Sequence, residues 1–250
     1  MESPAAPTPK GPGNSCVNCG VRSATVCAAL GDPQLEEVEA HKVGDHYFPA
    51  GSDLFLQGTQ SEYLYTIKEG WVMLYTLLQD GRRQINEFCL TGAFIGCQSD
   101  MMGPSSYSAQ ALTGVTVCAL PREGIDAVFQ RVPEMAVRFA CIATKSMESA
   151  FATLATVGRG TARERIAHLL ADLEARSQVV QTESSAGPLA LPITQEHIGD
   201  ALGLTSVHVS RTLKQLREDD IVSLRGHALH ILDRPALMDV AGITPHQTQT

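Results

Sequence analysis

The hydrophobic periodicity of the sequence changes near Pro133, and this change constrains the fold more than any other feature. Between about Val43 and Leu120, short β-branched and aromatic runs alternate with turn glycines at intervals of roughly ten residues, which is typical of a β-sandwich or barrel. From residue 133 to about 157, apolar or small residues recur every three or four positions, as in a helix. The pattern predicts an α+β protein in which a β domain precedes a long amphipathic helix.

The length, charge and cysteine content narrow the class of protein. A chain of 250 residues can form one large or two small domains. It lacks a run of ~18 apolar residues and a secretory signal over its first fifteen positions, so we expect a cytoplasmic protein without a membrane span. Seven cysteines are an odd number, which favours reduced thiols, a metal centre or redox chemistry over a disulfide framework.

Residues 194–216 have the layout of a helix-turn-helix. Thr194 can cap the first helix, Gly203 suits the left-handed residue that ends it, and Thr205 or Ser206 can cap the second helix. The inward positions of the second helix are Val209, Leu213 and Leu216. Isolated helix-turn-helix patterns give false positives, but here the caps, the glycine and the outer face agree.

The outer face of the second helix is basic. Arginine can bond guanine O6 and N7 together in the major groove. The net charge of −8 is therefore a misleading average, because residues 204–217 hold three basic residues and no acidic one. The predicted contacts with double-stranded DNA are Thr194, Gln195, Thr205, Ser206, Val207, His208, Ser210, Arg211, Lys214 and Arg225, the last of which is equally compatible with solvated surface.

The long helix carries an apolar stripe that can form a homodimer seam, although it can also simply cover the β domain. The stripe consists of Val137, Cys141, Thr144, Met147, Phe151 and Leu154.

The whole chain resembles the CRP/FNR family of bacterial transcription regulators. The resemblance rests on Pro49-Ala50-Gly51, Phe55-Leu56-Gln57-Gly58, Ile67-Lys68-Glu69-Gly70, Gly92-Ala93-Phe94-Ile95-Gly96, residues 107–112, and the helix-turn-helix. It implies a disordered tail over 1–15, a cysteine segment over 16–30, a cyclic-nucleotide-binding-like β-roll over 31–132, a dimerisation helix over 133–158, a winged helix-turn-helix over 159–235 and a C-terminal tail over 236–250.

The resemblance also identifies a disabled nucleotide pocket. Cyclic-AMP-binding members have a Glu where this chain has Cys97, and an Arg-Ser pair where it has Tyr107-Ser108. A phosphate diester needs a cation or a nest of amides. We therefore expect no cyclic nucleotide as a ligand.

A cysteine cluster precedes the β-roll, as in FNR-type oxygen sensors. Cys16, Cys19 and Cys27 are similar to the amino-terminal cluster of those proteins, and Cys118 stands where their fourth ligand lies. The resemblance thus implies a 4Fe–4S cluster. Structural zinc and a redox dithiol are the competing interpretations. Cys89, Cys97 and Cys141 are left over, and Cys89 and Cys141 are expected to be buried packing residues.

These features together predict a regulator, not an enzyme, because the sequence shows no catalytic triad, P-loop or dinucleotide fingerprint. Low oxygen would favour the cluster, the dimer and binding to a palindromic operator. The alternative is a regulator that responds to nitric oxide or thiol oxidation without an oxygen-sensing cluster. Val207 replaces a Glu common in the family, which changes the expected operator sequence. The Asp80-Gly81-Arg82-Arg83 turn is a candidate contact for RNA polymerase, or a plain solvated turn.

Overall fold

The structure is a computed structural model that describes residues 8–9, 15–178 and 188–242. Its internal contacts divide the chain into one unit up to Lys145 and a second from Ser146 onward. Each unit has its own core and is described separately. Among the described residues, no helix is long and apolar enough to cross a membrane.

The first unit contains two antiparallel sheets packed as a β-roll, as predicted. One sheet has the order β1 (Thr8–Pro9), β2 (Gly44–Phe48), β9 (Val115–Pro121), β4 (Tyr63–Glu69), β7 (Phe94–Ile95). The other has the order β3 (Asp53–Phe55), β8 (Ser108–Ala111), β5 (Val72–Leu77), β6 (Arg83–Cys89). The core between the sheets includes Phe48, Phe55, Ile67, Val72 and Val117, which alternate with outward-facing residues along their strands.

The predicted hairpin at Asp80-Gly81 joins β5 to β6. Gly81 has a φ of 83°, a left-handed conformation that favours glycine. The turn is closed by a hydrogen bond from the Leu78 N–H to the Arg82 carbonyl at 2.9 Å. The turn that the glycine spacing predicted at Gly81 is therefore present, between β5 and β6.

Three helices flank the β-roll, and two of them were not predicted. These two are α1 (Asp32–His41) and α2 (Ile125–Arg131), and the third is α3 (Pro133–Arg159). Leu35 and Val38 of α1 are buried together with Val128 of α2 and Met135 of α3. The two short helices thus belong to a second hydrophobic cluster, outside the space between the two sheets.

The second unit contains the predicted helix-turn-helix and its supporting elements. These are α4 (Ala162–Gln178), β10 (Leu189–Ala190), α5 (Gln195–Leu202), α6 (Ser206–Glu218), β11 (Val222–Arg225), β12 (Ala228–Ile231) and α7 (Arg234–Val240). The strands pair antiparallel in the order β10-β12-β11 and form the wing beside α6. Ile166 and Leu170 of α4 are fully buried, as are Ile198 of α5 and Val209 of α6.

The segment boundaries differ from the prediction at both ends. Within the predicted 1–15 tail, Thr8 and Pro9 pair with Tyr47 and His46 at the edge of β2, whereas residues 1–7 and 10–14 lie outside the described residues. The predicted 236–250 tail began inside a helix, because the Asp233 side chain caps α7 by accepting from the Ala236 N–H at 2.9 Å. Residues 243–250 lie outside the described part of the chain.

Candidate functional site

The first helix of the helix-turn-helix begins with a reciprocal cap at Thr194. The Thr194 hydroxyl accepts from the His197 N–H at 3.1 Å, and the His197 Nδ1 accepts from the Thr194 N–H at 3.3 Å. Two backbone N–H groups at the start of the helix, which have no partner within the helix, are satisfied in this way. Thr205 caps α6 in the same manner, because its hydroxyl accepts from the His208 N–H at 3.3 Å. Thr205, and not Ser206, is therefore the N-cap of α6.

The turn between α5 and α6 depends on two glycines. Gly203 has a φ of 65°, in the left-handed region predicted for it. At Gly199 a Cβ atom would lie 2.5 Å from the Leu204 carbonyl oxygen, which belongs to the turn itself. A side chain at position 199 would therefore require the backbone of the turn to move.

The predicted DNA contacts share one property, which is exposure. Val207 is 75% exposed, on the first turn of α6. The inward face is also as predicted, with Val209 and Leu216 buried and Leu213 half-buried; Thr212 is buried as well, which the periodicity did not indicate. The exposed residues are Thr194, Gln195, Thr205, Ser206, Val207, His208, Ser210, Arg211, Lys214 and Arg225.

Two arginines of the second unit hold the helix-turn-helix on α4. The Arg165 guanidinium donates to the Gly160 carbonyl at 2.9 Å and to the Leu202 carbonyl, at the end of α5, at 3.1 Å. Arg163 pairs with Asp219, just after α6, at 2.5 Å. The Arg165 bonds satisfy helix-terminal carbonyls, and the Arg163–Asp219 ion pair joins α4 to the residue after α6.

The predicted seam on α3 is exposed in the single chain. Val137, Met147, Phe151 and Leu154 are between 50% and 69% exposed. Thr144 is exposed too, and its hydroxyl donates to the Ala140 carbonyl at 3.0 Å. Cys141 is exposed in the single chain rather than buried, which corrects the expectation that it packs inside the protein, because no element of the described part of the chain covers its side chain.

The structure brings the predicted cysteine ligands to one cavity. Cys16 lies on a 3-10 turn (Cys16–Asn18), Cys19 follows it, and Cys27 lies at the end of the same segment. Cys118 comes from β9, about ninety residues further along the chain. The cavity is completed by an apolar wall and a few polar groups: Val21, Thr25, Leu35, Val38, Lys42, Asp45, Thr66, Lys68 and Leu120.

Hydrogen bonds fix the backbone of the cysteine segment. The Glu39 carboxylate, on α1, accepts from the Cys16 N–H at 2.8 Å and from the Ser15 hydroxyl at 3.0 Å. These bonds hold the pKa of Glu39 below its usual value. The Thr25 hydroxyl accepts from the Cys27 N–H at 3.1 Å. The segment is therefore anchored on α1 by a charged acceptor.

Burial disfavours the thiolate form of these cysteines in the absence of a metal. It raises the pKa of Cys27 to about 11 and that of Cys118 to about 12, and it raises the pKa of Cys16 as well. Neighbouring thiols contribute in the same direction. A metal that binds here would displace protons from the thiols.

The donor set fits a metal centre chemically, although the side chains are not arranged as ligands. Soft thiol donors on an apolar wall suit an iron–sulfur cluster or zinc. Among the described residues, however, no group of three or more His, Cys, Asp or Glu side chains is in position to hold a metal ion. The structure shows convergence of the four side chains on one cavity and does not show ligand geometry.

The cysteine site shares a hydrophobic cluster with the first turns of α3. Cys16 and Val26 are buried in the same cluster as Met135, and Cys27, Phe139 and Ile142 pack against it at partial burial. The Phe139 ring contacts Phe94 edge-on at 5.9 Å between centroids. The segment and the base of the long helix are therefore packed together within the first unit.

The remaining buried cysteines and Tyr107 lie in and beside the β-roll core. Cys89 is 2% exposed, as predicted for a packing residue. The Tyr107 hydroxyl accepts from the Gly96 N–H at 3.3 Å and donates to the Cys97 carbonyl at 3.2 Å, while its ring contacts Phe55 edge-on. Burial raises the pKa of Cys97 to about 11. The Tyr107 hydroxyl is therefore bonded to the backbone of Gly96 and Cys97.

Four charged residues at the cysteine site were missed by sequence reasoning, one of which is Lys42 in the cavity wall. Glu39 binds the cysteine segment, and Asp45 and Lys68 form an ion pair that lines the cavity. Glu39 could have been placed on a helix from the sequence, because the neighbouring Leu35 and Val38 have the spacing of its inward face. No local signal places Asp45 beside Cys118, since their pairing follows from the register of β2 against β9.

Comparison with known proteins agrees with this architecture. Residues 45–132 match the model of the cyclic nucleotide-binding domain, and residues 164–240 match that of the Crp-like helix-turn-helix domain. A sensor β-roll followed by a long helix and a helix-turn-helix defines a DNA-binding transcriptional regulator. The chain belongs to the CRP/FNR family of transcription regulators.

Relatives from several bacteria cover nearly the whole chain. The transcriptional activatory protein AadR of Rhodopseudomonas palustris is 33% identical over 92% of this chain and 94% of its own length. The nitrogen fixation regulation protein FixK of Bradyrhizobium diazoefficiens is 30% identical over 88% and 91%. The solved structure of FixK2 from Bradyrhizobium japonicum superposes with a TM-score of 0.69 at 29% identity, covering 78% of this chain and 96% of that one.

A relative named for fumarate and nitrate reduction is also similar. The fumarate and nitrate reduction regulatory protein of Vibrio cholerae is 26% identical over 92% of this chain and 91% of its own length. The relatives therefore carry names of both the FixK and the fumarate-and-nitrate-reduction type, and the names alone assign no cofactor to this chain.

Proposed function

We propose that this DNA-binding regulator senses low oxygen through a 4Fe–4S cluster held by Cys16, Cys19, Cys27 and Cys118. The observation that carries the proposal is the convergence of these cysteines on one cavity, from two distant parts of the chain. Four soft donors around an apolar wall are what an iron–sulfur cube requires. Such a cluster supplies a group that oxygen and nitric oxide attack.

The packing of the cysteine segment supports a link from the cavity to the long helix. Ligation through Cys118 would tie the segment to β9, in addition to the hydrogen bonds that the segment donates to Glu39. Without that tie, the segment is held by those bonds, by the Arg22–Asp32 ion pair at 3.9 Å and by the hydrophobic cluster that includes Met135. The cysteine ligands therefore bias the packing around the first turns of α3.

The regulator acts as a homodimer on a palindromic operator in the cytoplasm. Support comes from the stripe on α3, where Phe151 is 61% and Leu154 is 69% exposed. Large apolar side chains in a continuous row favour a partner helix. A dimer presents two copies of α6 to two half-sites, whereas a monomer loses much of its specific affinity.

The reading face of α6 predicts which base pairs are recognised. Arg211 can bond guanine O6 and N7, while Lys214 supplies a charge toward the phosphates. Val207 cannot accept a hydrogen bond from cytosine N4, but its exposed methyl groups can contact the C5-methyl group of thymine. The half-site thus differs from one read by a Glu at this position.

Cyclic nucleotides are not the signal in this proposal. Tyr107 stands where cyclic-AMP-binding members have an Arg, and its hydroxyl is bonded within the protein.

The β5–β6 hairpin, in which the Arg82 Nε donates to Asp80 at 2.8 Å, remains a candidate surface for RNA polymerase because it is exposed and charged.

A second candidate function keeps the DNA binding and changes the signal. The same thiols, without an oxygen-sensing cluster, could respond to nitric oxide or to oxidation. It is favoured by the absence, among the described residues, of a metal-ligating group of side chains. Anaerobic purification followed by a visible spectrum and by iron, acid-labile sulfide and zinc assays separates the candidates. Stoichiometric iron and sulfide support the cluster, whereas a colourless or zinc-containing protein contradicts it.

A further inference from the structure

A buried ion pair lies in the wall of the cysteine cavity. The Lys68 ammonium donates to the Asp45 carboxylate at 2.5 Å, and the two side chains are only 15% and 10% exposed. Both residues line the cavity that the four cysteines share. Asp45 Oδ1 is buried and has no hydrogen-bond partner among the described residues.

The strand register explains why the pair is beside Cys118. Strand β9 lies between β2 and β4, and Cys118 is directly opposite Asp45 on one side and Thr66 on the other. Lys68 lies where the register of β4 against β9 shifts, between Ile67 and Glu69, and its ammonium reaches Asp45 in the wall of the cavity that Cys118 lines. The ammonium and the fourth cysteine therefore belong to one cavity.

Stability alone is a poor reason for this ion pair. Desolvation of two buried charges offsets most of their attraction, and apolar replacements of such pairs are often neutral. Burial by itself would lower the pKa of Lys68, yet the hydrogen bond and charge of Asp45, with smaller contributions from Cys19 and Cys118, leave that pKa above its ordinary value. Lys68 therefore stays charged inside the cavity wall.

We propose that Lys68 is a charge-compensating residue of the sulfur site, held in place by Asp45. Four thiolates bring more negative charge than a divalent metal or a cube neutralises, so a nearby buried ammonium favours the ligated state. The same ammonium favours electron uptake by the site, because added negative charge is then less costly. This inference rests on the proposed function, since it assumes that the four thiols bind a metal centre.

The test uses the full-length protein, reduced under nitrogen, with Co²⁺ alone as the first probe and the reconstituted cluster as the second. Co²⁺ affinity is read from the thiolate-to-metal absorbance, and the reduction potential is read by anaerobic titration. The variants are Lys68→Met, Lys68→Arg and Asp45→Asn. Lys145→Met, on an exposed part of α3, is the matched control, and Cys118→Ser removes a proposed ligand.

The sign of the changes separates an electrostatic role from a structural one. We expect Lys68→Met to weaken Co²⁺ binding about tenfold or more and to lower the reduction potential. Lys68→Arg should restore both. Asp45→Asn keeps an oxygen that accepts from Lys68 but removes a negative charge, so it should tighten Co²⁺ binding and raise the potential. If the ion pair were purely structural, both neutral variants would weaken it, and Co²⁺ binding would weaken in both.

Each alternative outcome identifies which inference fails. If Lys68→Met fails to fold, the direction of the Asp45→Asn change still decides. Weaker binding in Asp45→Asn, or unchanged binding in a folded Lys68→Met, overturns the role of Lys68 while leaving the cysteine site intact. If the wild-type protein and Cys118→Ser are alike in binding neither Co²⁺ nor a cluster, the proposed function fails and this inference fails with it.

Discussion

The helix-turn-helix and the cysteine site are built in opposite ways. In the helix-turn-helix, Thr194, Gly203, Thr205 and the groove-facing residues all come from one continuous stretch, and the caps are already formed. In the cysteine site, a segment near the start of the chain meets Cys118 from β9, and the side chains are not arranged as ligands. The reading face of the helix-turn-helix therefore follows from local sequence, whereas the cysteine site depends on contacts between distant parts of the chain.

The first prediction tests whether the cysteine site controls DNA binding by the helix-turn-helix, and it does so by removing the proposed ligand on β9. Cys118→Ser should lose the cluster, and specific operator affinity should fall by about 1,000-fold toward non-specific binding. Cluster absorbance and a DNA-binding titration at fixed salt measure both effects. Cys89→Ser, a buried cysteine outside the cavity, is the control and should keep both properties. Retention of operator binding in Cys118→Ser would show that the cysteine site does not control the helix-turn-helix.

The second prediction concerns the helix-turn-helix itself. Arg211→Ala should weaken operator binding by about 1–3 kcal/mol, roughly 5- to 160-fold, and should relax preference at one base pair per half-site. Lys214→Ala, also exposed on α6, should weaken binding to all sequences alike and reduce its salt dependence. Titrations against a panel of operator variants distinguish the two. An unchanged sequence preference in Arg211→Ala would remove that residue from base recognition.

The third prediction tests whether the turn is as rigid as its packing indicates. Gly199→Ala places a Cβ at 2.5 Å from the Leu204 carbonyl oxygen, so the backbone must move, at a cost of about 1–3 kcal/mol of unfolding free energy. At Gly158, inside α3, an added Cβ would meet no atom within 4 Å, so Gly158→Ala should be neutral or stabilising. Thermal or urea unfolding provides the comparison. Equal stability of the two variants would contradict the close-packed turn.

The smallest expected effect is at the anchor of the cysteine segment. Glu39→Ala removes the acceptor for the Cys16 N–H and the Ser15 hydroxyl, and should increase amide exchange over residues 15–19 by a few-fold in the metal-free protein. Glu39→Gln keeps an oxygen acceptor and should show a smaller change. If amide exchange is the same in Glu39→Ala and the wild-type protein, the hydrogen bonds do not hold the segment.

The same contrast explains what could be predicted from the sequence. Caps, a left-handed glycine and helical periodicity are local signals, so α6 and its exposed face were located correctly. Strand runs separated by turn glycines likewise identified the β-roll. Helices α1 and α2 were missed because they are short and flank strand signals, and Cys141 was misplaced because periodicity identifies a stripe without indicating what covers it.

The residues around the cysteines could be predicted only in part. Cys118 was assigned from a family resemblance, and the structure places it at the same cavity as Cys16, Cys19 and Cys27. Asp45, Lys68 and Glu39 depend on strand register and on the position of α1, which no local pattern specifies. Whether the four thiols bind a cluster, zinc or no metal stays a prediction.

The most direct test of the account is operator affinity measured on one anaerobic sample before and after exposure to air, with iron and sulfide assayed at each step. We predict a coloured protein that binds its operator as a dimer and loses specific binding in step with the iron and sulfide. Specific binding that is equally strong after the iron and sulfide are gone, or that never required them, would contradict control by the cysteine site.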